Sequence, residues 1–197
     1  MPFKTTTEQE LLLQKFAELV ESANRKHNLT SAKTAKEFYE THVADCVAAY
    51  ACVEERLEGL VVDCGSGAGL PGIVWAILNP NRSFLSIDSN QKKIAFQKTA
   101  KRALGLDNLT AEHKRAEDLN IEEQHCLVFK AFSSISKAAA HNKKNNKSLH
   151  LKKDDEKTKQ EISEAGSLLY DYKRHSYTVK KTKMLVVEIY DGKNSNN

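Results

Sequence analysis

The sequence predicts an α/β fold with a mainly parallel sheet and a helical extension at the N-terminus. Residues 60–78 contain a short apolar run, a glycine-rich loop and a second apolar run, the pattern of a strand, a turn and a helix. After this unit, strand patterns alternate with helical patterns, and before it residues 8–57 show helical periodicity. We therefore expect three segments: a helical extension (1–58), a sheet domain (59–190) and a disordered tail (191–197).

The glycine loop has the composition of a ligand-binding turn. Gly65, Gly67 and Gly69 allow a tight turn and a close approach of the backbone to a ligand. Pro71 suits the first turn of the following helix, whose N-terminus offers free N–H groups. The spacing fits an S-adenosylmethionine site when counted from Gly65 and a dinucleotide site when counted from Gly67, and a tight turn without a ligand is a third interpretation.

The next strand, residues 84–88, narrows these alternatives. It ends in Asp88, about 20 residues beyond the glycines, where a carboxylate can accept hydrogen bonds from ribose hydroxyls. This spacing favours a cofactor that contains a nucleoside, and NAD and S-adenosylmethionine both remain possible on the residues alone.

The other elements follow from the same periodicities. Two helices are expected in the extension, over residues 8–26 and 36–57. His42 and Asp45 lie three residues apart on the second helix and can face the same way. They either line a site or share a hydrogen bond on the helix surface, and the second interpretation is favoured. Further strands are expected at 109–113, 126–130, 148–151, 172–180 and 184–190, and further helices at 91–104, from about 134, and at 154–165.

Charge is unevenly distributed along the chain. Residues 130–183 hold 14 Lys and Arg against 6 Asp and Glu, whereas residues 1–129 hold 15 against 18. Such a basic segment indicates either a polyanionic substrate or a solvated lysine-rich surface. If the first holds, lysines 143, 144 and 147 are expected to contribute to binding that polyanion. The first part of residues 137–153, rich in lysine and asparagine, is expected to be a mobile surface loop.

Several classes of protein are disfavoured by composition. No apolar run approaches the roughly 18 residues that span a membrane, and the polar first residues lack the apolar region of a signal peptide. We therefore expect a cytoplasmic protein without a membrane partner. The four cysteines are scattered, which predicts reduced thiols and disfavours a zinc site.

Taken in order, the motifs resemble the RsmG (GidB) family of bacterial methyltransferases of small-subunit ribosomal RNA. The resemblance covers nearly the whole chain and is strongest at the glycine loop. The blocks that carry it are residues 28–31, 42–45, 63–73, 88–96, 115–118 and 130–132, with a weaker match at 149–152.

The resemblance implies a class I S-adenosylmethionine-dependent methyltransferase fold, Rossmann-like, and methyl transfer to guanine N7 of 16S ribosomal RNA. We expect a monomer that acts on the RNA or on a small-subunit assembly intermediate. The cofactor positions that it implies, together with those expected from the loop and the second strand, are Gly65, Gly67, Leu70, Asp88, Ala116, Glu117 and Lys130. Gly65 and Gly67 would face the methionine moiety, Asp88 the ribose, and Ala116 with Glu117 the adenine.

Guanine N7 already carries a lone pair, so the implied transfer needs no general base and depends on positioning. Lys130 is the candidate for positioning RNA, and a solvated lysine at a strand end is its alternative. The family usually has arginine there, and lysine lacks the planar fork. His125 and Lys153 also depart from the family, as does the segment after Phe132. These departures keep open a catalytically silent RNA-binding relative; an NAD-dependent enzyme is the other alternative.

Overall fold

A computed structural model describes residues 4–141, 146–166 and 171–190 of the chain. The expected disordered tail, residues 191–197, lies outside the described residues. So do residues 142–145, which include two of the lysines expected to bind RNA.

The described part of the chain forms one seven-stranded sheet in the order β3-β2-β1-β4-β5-β7-β6. Its strands are β1 (Leu60–Cys64), β2 (Phe84–Asp88), β3 (Leu109–His113), β4 (His125–Lys130), β5 (Lys147–Lys153), β6 (Asp171–Val179) and β7 (Thr182–Tyr190). The first five strands are parallel, and β7 runs antiparallel to both β5 and β6. The mainly parallel, Rossmann-like sheet is thus confirmed. Strand order reverses between β1 and β4, so a crevice opens at the carboxyl ends of these strands.

Seven α-helices accompany the sheet in the described part. They are α1 (Thr7–His27), α2 (Ala35–Phe38), α3 (Ala44–Val53), α4 (Gly72–Leu78), α5 (Gln91–Leu104), α6 (Ile135–Ala139) and α7 (Glu156–Ala165). Helix α1 begins with a capping box between Thr6 and Gln9 and ends at Asn28 in the left-handed conformation. None of the described helices has the length and apolarity needed to cross a membrane.

The second helix of the extension is not regular. Between α2 and α3 the chain makes a π-helical turn over Tyr39–Val43, in which the Ala44 N–H bonds to the carbonyl of Tyr39. The extra residue in this turn changes which side chains face the sheet. It buries Val43 and places Asp45 at the start of α3 with its side chain buried as well.

The extension and the sheet share one hydrophobic core. Trp75 in α4 is fully buried, donates its indole N–H to the carbonyl of Cys46 at 2.9 Å, and contacts the Tyr50 ring at 5.8 Å between centroids. Phe16 of α1 belongs to the same cluster of buried residues. The division of the chain at residue 58 stays a prediction, and the two parts pack as one body of apolar contacts.

The lysine-rich segment differs from expectation at both ends. Residues 137–139 belong to α6, where Ala138 is buried, so the expected surface loop is wrong there. At the other end, β5 covers Lys147–Lys153 and is longer than the expected strand at 148–151. Lys147 therefore lies in the strand, and it is buried. The Lys147 ammonium bonds to the carbonyl of Arg56 and lies 3.6 Å from Glu58 and 3.8 Å from Glu188. Lys147 is therefore an internal ion-pair partner, and its expected role in RNA binding is wrong.

The four cysteines are free thiols, as predicted. Burial raises the pKa of Cys46, Cys64 and Cys126, which keeps these thiols protonated.

Candidate active site

The glycine loop adopts a conformation that requires glycine. Gly65, Gly67 and Gly69 have φ angles of 70°, 57° and 95°, in the left-handed region. A Cβ on Gly65 would lie 2.4 Å from Cδ2 of Phe132, so the ring of Phe132 rests directly on this glycine. A Cβ on Gly67 would meet only the Gly65 carbonyl oxygen, at 3.9 Å, so space is open beside Gly67.

Asp63 holds the far end of the loop. Its Oδ2 accepts the N–H of Gly72 at 2.8 Å, while its Oδ1 is buried and has no hydrogen-bond partner among the described residues. Burial, together with the nearby charge of Asp88, raises the pKa of Asp63 to about 7, against the opposing effects of the Gly72 hydrogen bond and the charge of Lys130. Asp63 thus anchors the turn into α4.

Asp88 holds the near end of the loop. Its Oδ2 accepts the N–H of Gly67 at 2.9 Å, and its Oδ1 accepts the N–H of Asn90 at 2.8 Å. Gln97 reinforces the loop by donating to the Gly67 carbonyl at 2.9 Å. Each carboxylate oxygen has a second lone pair, so Asp88 retains the capacity to accept a hydrogen bond from a ligand.

A cavity of about 290 Å³ opens beside the loop. Four of the expected cofactor residues, Gly65, Asp88, Ala116 and Glu117, line it together. The other lining residues are Ser89, Lys93, Lys114, Arg115, Ala131 and Phe132. Gly67 and Leu70 are not among the residues that line it. Gly67 bonds to the lining residue Asp88, whereas Leu70 is half-buried and packs against the core.

Lys130, at the end of β4, is buried and paired. Its ammonium lies 2.9 Å from Oδ2 of Asp45, and its side chain is 16% exposed. The Tyr177 hydroxyl donates to Oδ1 of the same carboxylate at 2.8 Å. Burial lowers the pKa of Lys130, but the groups around it, Cys46, Asp45 and Asp63, outweigh burial and raise it. Because burial keeps the Cys46 thiol neutral, Asp45 is the charged partner that stabilises the Lys130 ammonium at neutral pH.

Two interpretations from the sequence are corrected by this pair. Lys130 is not a solvated lysine. Asp45 does not share a hydrogen bond with His42 on the helix surface, because its two oxygens bind Lys130 and Tyr177. Burial lowers the pKa of His42, and the charge of Lys130 lowers it further, so His42 is neutral at pH 7 beside the Phe38 ring.

Comparison with known proteins decides the family. The sequence model of GidB, described as rRNA small subunit methyltransferase G, matches residues 9–187. The chain belongs to the GidB family.

Relatives in this family are moderately similar to the chain. A ribosomal RNA small subunit methyltransferase G of Shewanella woodyi is 38% identical over 137 residues, covering 68% of this chain and 65% of the relative. One of Francisella philomiragia is 36% identical over 136 residues, covering 68% of this chain and 64% of the relative. The alignments thus span slightly less than two thirds of these relatives' own length.

Solved structures of low sequence identity share the fold of this GidB chain. A magnesium protoporphyrin IX methyltransferase from Synechocystis with bound SAM has a TM-score of 0.57 at 12% identity, covering 96% of this chain and 100% of that one. An rRNA methylase from Streptococcus thermophilus has a TM-score of 0.51 at 16% identity, covering 72% and 93%. These similarities confirm the class I methyltransferase fold.

The basic segment of the GidB chain is less available to a ligand than its composition indicates. Besides Lys130 and Lys147, Lys152 is taken up internally, since its ammonium bonds to Glu161 at 2.9 Å and to the Ser133 carbonyl at 2.7 Å. Three of the lysines that create the positive balance therefore serve the fold.

Other basic residues lie near the cavity. Arg115, which is exposed, lines it together with Lys93 and Lys114, which are half-buried and pair with Asp88 at 3.8 Å and with Glu112 at 3.1 Å. Lys92, next in sequence to Lys93, lines a groove of about 410 Å³ between α1 and α5. The residues of this groove are Leu19, Ser22, Ala23, Lys26, His27, Lys92, Ala95, Phe96, Thr99 and Ala100, without an acidic side chain among them.

Sequence reasoning missed two contributors to the site. Tyr177 lies in β6, far along the chain from Asp45, and an alternating polar strand gives no signal that one of its tyrosines is partly buried and bonds to a residue of a distant helix. Gln97 holds the glycine loop from α5, where its position among the buried residues of an amphipathic helix was the available signal.

Proposed function

We propose that this chain is an S-adenosylmethionine-dependent methyltransferase that methylates guanine N7 in 16S ribosomal RNA. The observation that carries the proposal is the cavity that gathers Gly65, Asp88, Ala116 and Glu117 beside a glycine loop at the carboxyl end of β1. Membership of the GidB family supports the RNA substrate, and the family resemblance supports N7 as the acceptor atom.

The residues around the loop fit such a cofactor. Space is open beside Gly67, and the buried Oδ1 of Asp63 lacks a partner among the described residues, as expected next to a site for a donor or a cationic group. In the proposal Gly65 and Gly67 border the methionine moiety, Asp88 accepts from the ribose, and Ala116 with Glu117 borders the adenine.

The cofactor, when bound, supplies an activated methyl group on sulfur. Guanine N7 attacks with its own lone pair, so the chain has no proton to remove. The contribution of the protein is to bind both reactants, to align them and to exclude water. The rigid loop serves alignment, since Asp63, Asp88 and Gln97 hold it from three elements.

The substrate is 16S ribosomal RNA or a small-subunit assembly intermediate, bound by a monomer in the cytoplasm. RNA carries a negative charge on each phosphate, and the exposed cation at the cavity is Arg115. Lys93 and Lys114, which are half-buried and lie 3.8 Å from Asp88 and 3.1 Å from Glu112, add to the positive charge there. We assign the positioning role of Lys130 to its pairing with Asp45, which fixes the end of β4 from which the cavity wall continues.

Calorimetry followed by methyl transfer tests the proposal. The protein is titrated with S-adenosylmethionine and with NAD, and then incubated with labelled S-adenosylmethionine and unmodified small-subunit RNA, with the methylated atom mapped by mass spectrometry. We expect binding of S-adenosylmethionine alone and one labelled guanine N7. Binding of NAD alone would overturn the assignment of S-adenosylmethionine as the cofactor. Binding of S-adenosylmethionine and RNA without methyl transfer would favour a catalytically silent RNA-binding protein.

A further inference from the structure

Phe132 is an exposed aromatic ring at the edge of the cavity. Three large apolar side chains of the described residues are exposed, namely Leu11, Phe132 and Tyr172. Among them Phe132 alone lines the cavity that holds Asp88 and Glu117, and 38% of it is exposed. The exposed part of the ring lies at the cavity, where it is available to a ligand.

The ring is held firmly in place. Its centroid lies 5.2 Å from that of Phe129 and 6.1 Å from that of His141. Phe129 is buried and stacks on buried His150 at 5.2 Å with an interplanar angle of 15°. Phe132 also rests on Gly65, where a Cβ would lie 2.4 Å from the ring. These contacts leave the rest of the ring as a preorganised flat surface beside the loop.

The backbone before Phe132 is strained in a way that directs the ring outward. Ala131 has a φ of 53°, which is uncommon for a residue with a Cβ. Such strain persists only where the surroundings impose it, and it concentrates at functional sites. The turn follows the end of β4 at Lys130, which is mostly buried, and Phe132, two residues further on, is exposed.

We propose that Phe132 is the stacking platform for the guanine base that is extruded from the RNA. This inference rests on the proposed function and names the residue that binds its substrate. A base stacked between its neighbours is shielded from an active-site cavity, so enzymes that modify bases take the base out of the stack and hold it on aromatic side chains. Stacking on a phenyl ring supplies affinity for any purine face, and the cavity beside it supplies the alignment.

Lys130 is a poorer candidate for this contact. Its ammonium is committed to Asp45 at 2.9 Å and its side chain is mostly buried, whereas Phe132 is free on one side. The residue that meets the base is therefore the exposed ring two positions further along the chain.

The first test compares Phe132→Ala, Phe132→Leu and Phe132→Tyr in methyl transfer to small-subunit RNA. We expect Phe132→Ala and Phe132→Leu to raise KM for RNA at least tenfold, with affinity for S-adenosylmethionine within about twofold of wild type. Phe132→Tyr should restore KM because it restores the aromatic face. Tyr172→Ala, which removes an equally exposed ring outside the cavity, is the matched control and should change nothing.

The second test uses Phe132→Trp as a fluorescent reporter. The natural Trp75 is fully buried and gives a constant background. We expect RNA to quench the emission of the new indole, as a stacked base does, and the Tyr172→Trp variant to show no such quenching.

The outcomes separate this inference from the proposed function. Two results would overturn the stacking role alone, provided that the wild-type protein methylates RNA. One is a KM for RNA in Phe132→Ala equal to that of wild type, and the other is an equal loss of affinity for RNA and for the cofactor in that variant. A wild-type protein that binds RNA without methylating it would overturn the proposed reaction, and the quenching experiment would still decide the stacking role. Absence of any RNA binding would overturn both.

Discussion

The ammonium of Lys130 lies 2.9 Å from Oδ2 of Asp45, and this ion pair joins the end of β4 to the start of α3. Both side chains are buried, with 16% and 6% of their surfaces exposed. Tyr177 adds a third element by donating to the other oxygen of Asp45 at 2.8 Å. The pair therefore ties the helical extension, the parallel half of the sheet and the antiparallel half together directly behind Ala131 and Phe132.

Removing one partner of this pair should destabilise the protein strongly. Lys130→Ala leaves the Asp45 carboxylate buried with only a hydroxyl, and breaking a buried pair costs about 3–5 kcal/mol. We expect a loss of that size in urea unfolding. Lys137→Ala, an exposed lysine of α6, is the matched control and should change the free energy of unfolding by less than about 0.5 kcal/mol.

The same pair bears on activity through Lys130→Arg. Arginine keeps the charge and can hold the Asp45 carboxylate with two hydrogen bonds, so we expect stability to be retained and the rate of methyl transfer to equal or exceed that of the parent. Rates are compared at saturating cofactor. A destabilised, slower arginine variant would contradict this expectation and show that the cavity around Asp45 is shaped for lysine.

Gly67→Val should abolish cofactor binding without unfolding the protein. The φ of 57° at Gly67 is strained for a β-branched residue, and relaxation would break the N–H bond to Asp88. Gly105→Val offers a matched control, because Gly105 has a φ of 66° and open space around it but caps α5 on its own. Calorimetry with S-adenosylmethionine should show binding lost in the first variant and kept in the second, although both lose stability. Equal affinities in the two variants would mean that the loop does not bind the cofactor.

The sequence predicted the parts of the fold that rest on local patterns. The strand–loop–helix unit at residues 60–78 was located from its apolar runs and glycines, and the structure places β1 and α4 there. Each of these signals arises from a few neighbouring residues, where backbone preference and burial agree. Asp88 was expected from its place at the end of a strand, and Ala116 with Glu117 from the family resemblance. The structure places all three at one cavity, because parallel strands bring their carboxyl ends together.

What the sequence could not predict depends on contacts between distant segments. Lysine composition indicated a solvated region around Lys147, yet Glu58 and Glu188 provide buried partners that no local pattern reveals. The pairing of Asp45 with Lys130 and Tyr177 likewise joins residues from three parts of the chain. Charge counts treat every lysine alike, and only the tertiary structure separates those that serve the fold from those that face a ligand.

RNA affinity should depend more on the groove between α1 and α5 than on α7. Lys26 and Lys92 are exposed in a groove without an acidic lining residue, next to the cavity lysine Lys93. Lys26→Ala/Lys92→Ala should make the log–log salt dependence of RNA binding shallower by about 1.5 units, since each phosphate contact contributes roughly 0.7–0.9.

Lys153→Ala/Lys157→Ala is the matched control, because it removes two exposed lysines from the basic segment of residues 130–183. We expect its salt dependence to stay within about 0.5 units of wild type. The reverse ranking of the two variants would place the RNA on the C-terminal half, as the overall charge distribution indicated.

The buried Asp63 should give the stability of the protein a distinctive pH dependence. Burial raises its folded-state pKa to about 7, whereas the carboxyl in the unfolded chain has a pKa of about 3.9. The folded state therefore binds the proton more tightly, so this residue favours folding fully below about pH 4 and loses that contribution as the pH rises to about 7. The shift of roughly 3 pH units corresponds to about 4 kcal/mol, as an upper bound.

Asp63→Asn isolates this effect, because the amide oxygen can still accept the Gly72 N–H at 2.8 Å but does not ionise. Other carboxyls also titrate, so the informative quantity is the difference in unfolding free energy between the variant and wild type at each pH. We expect the unfolding free energy of the variant to rise relative to that of wild type between pH 5 and pH 7, and the difference to become constant above pH 8. A difference that stays constant across this range would show that Asp63 ionises in the folded protein as readily as in the unfolded chain, and that its Oδ1 has found a partner in solution.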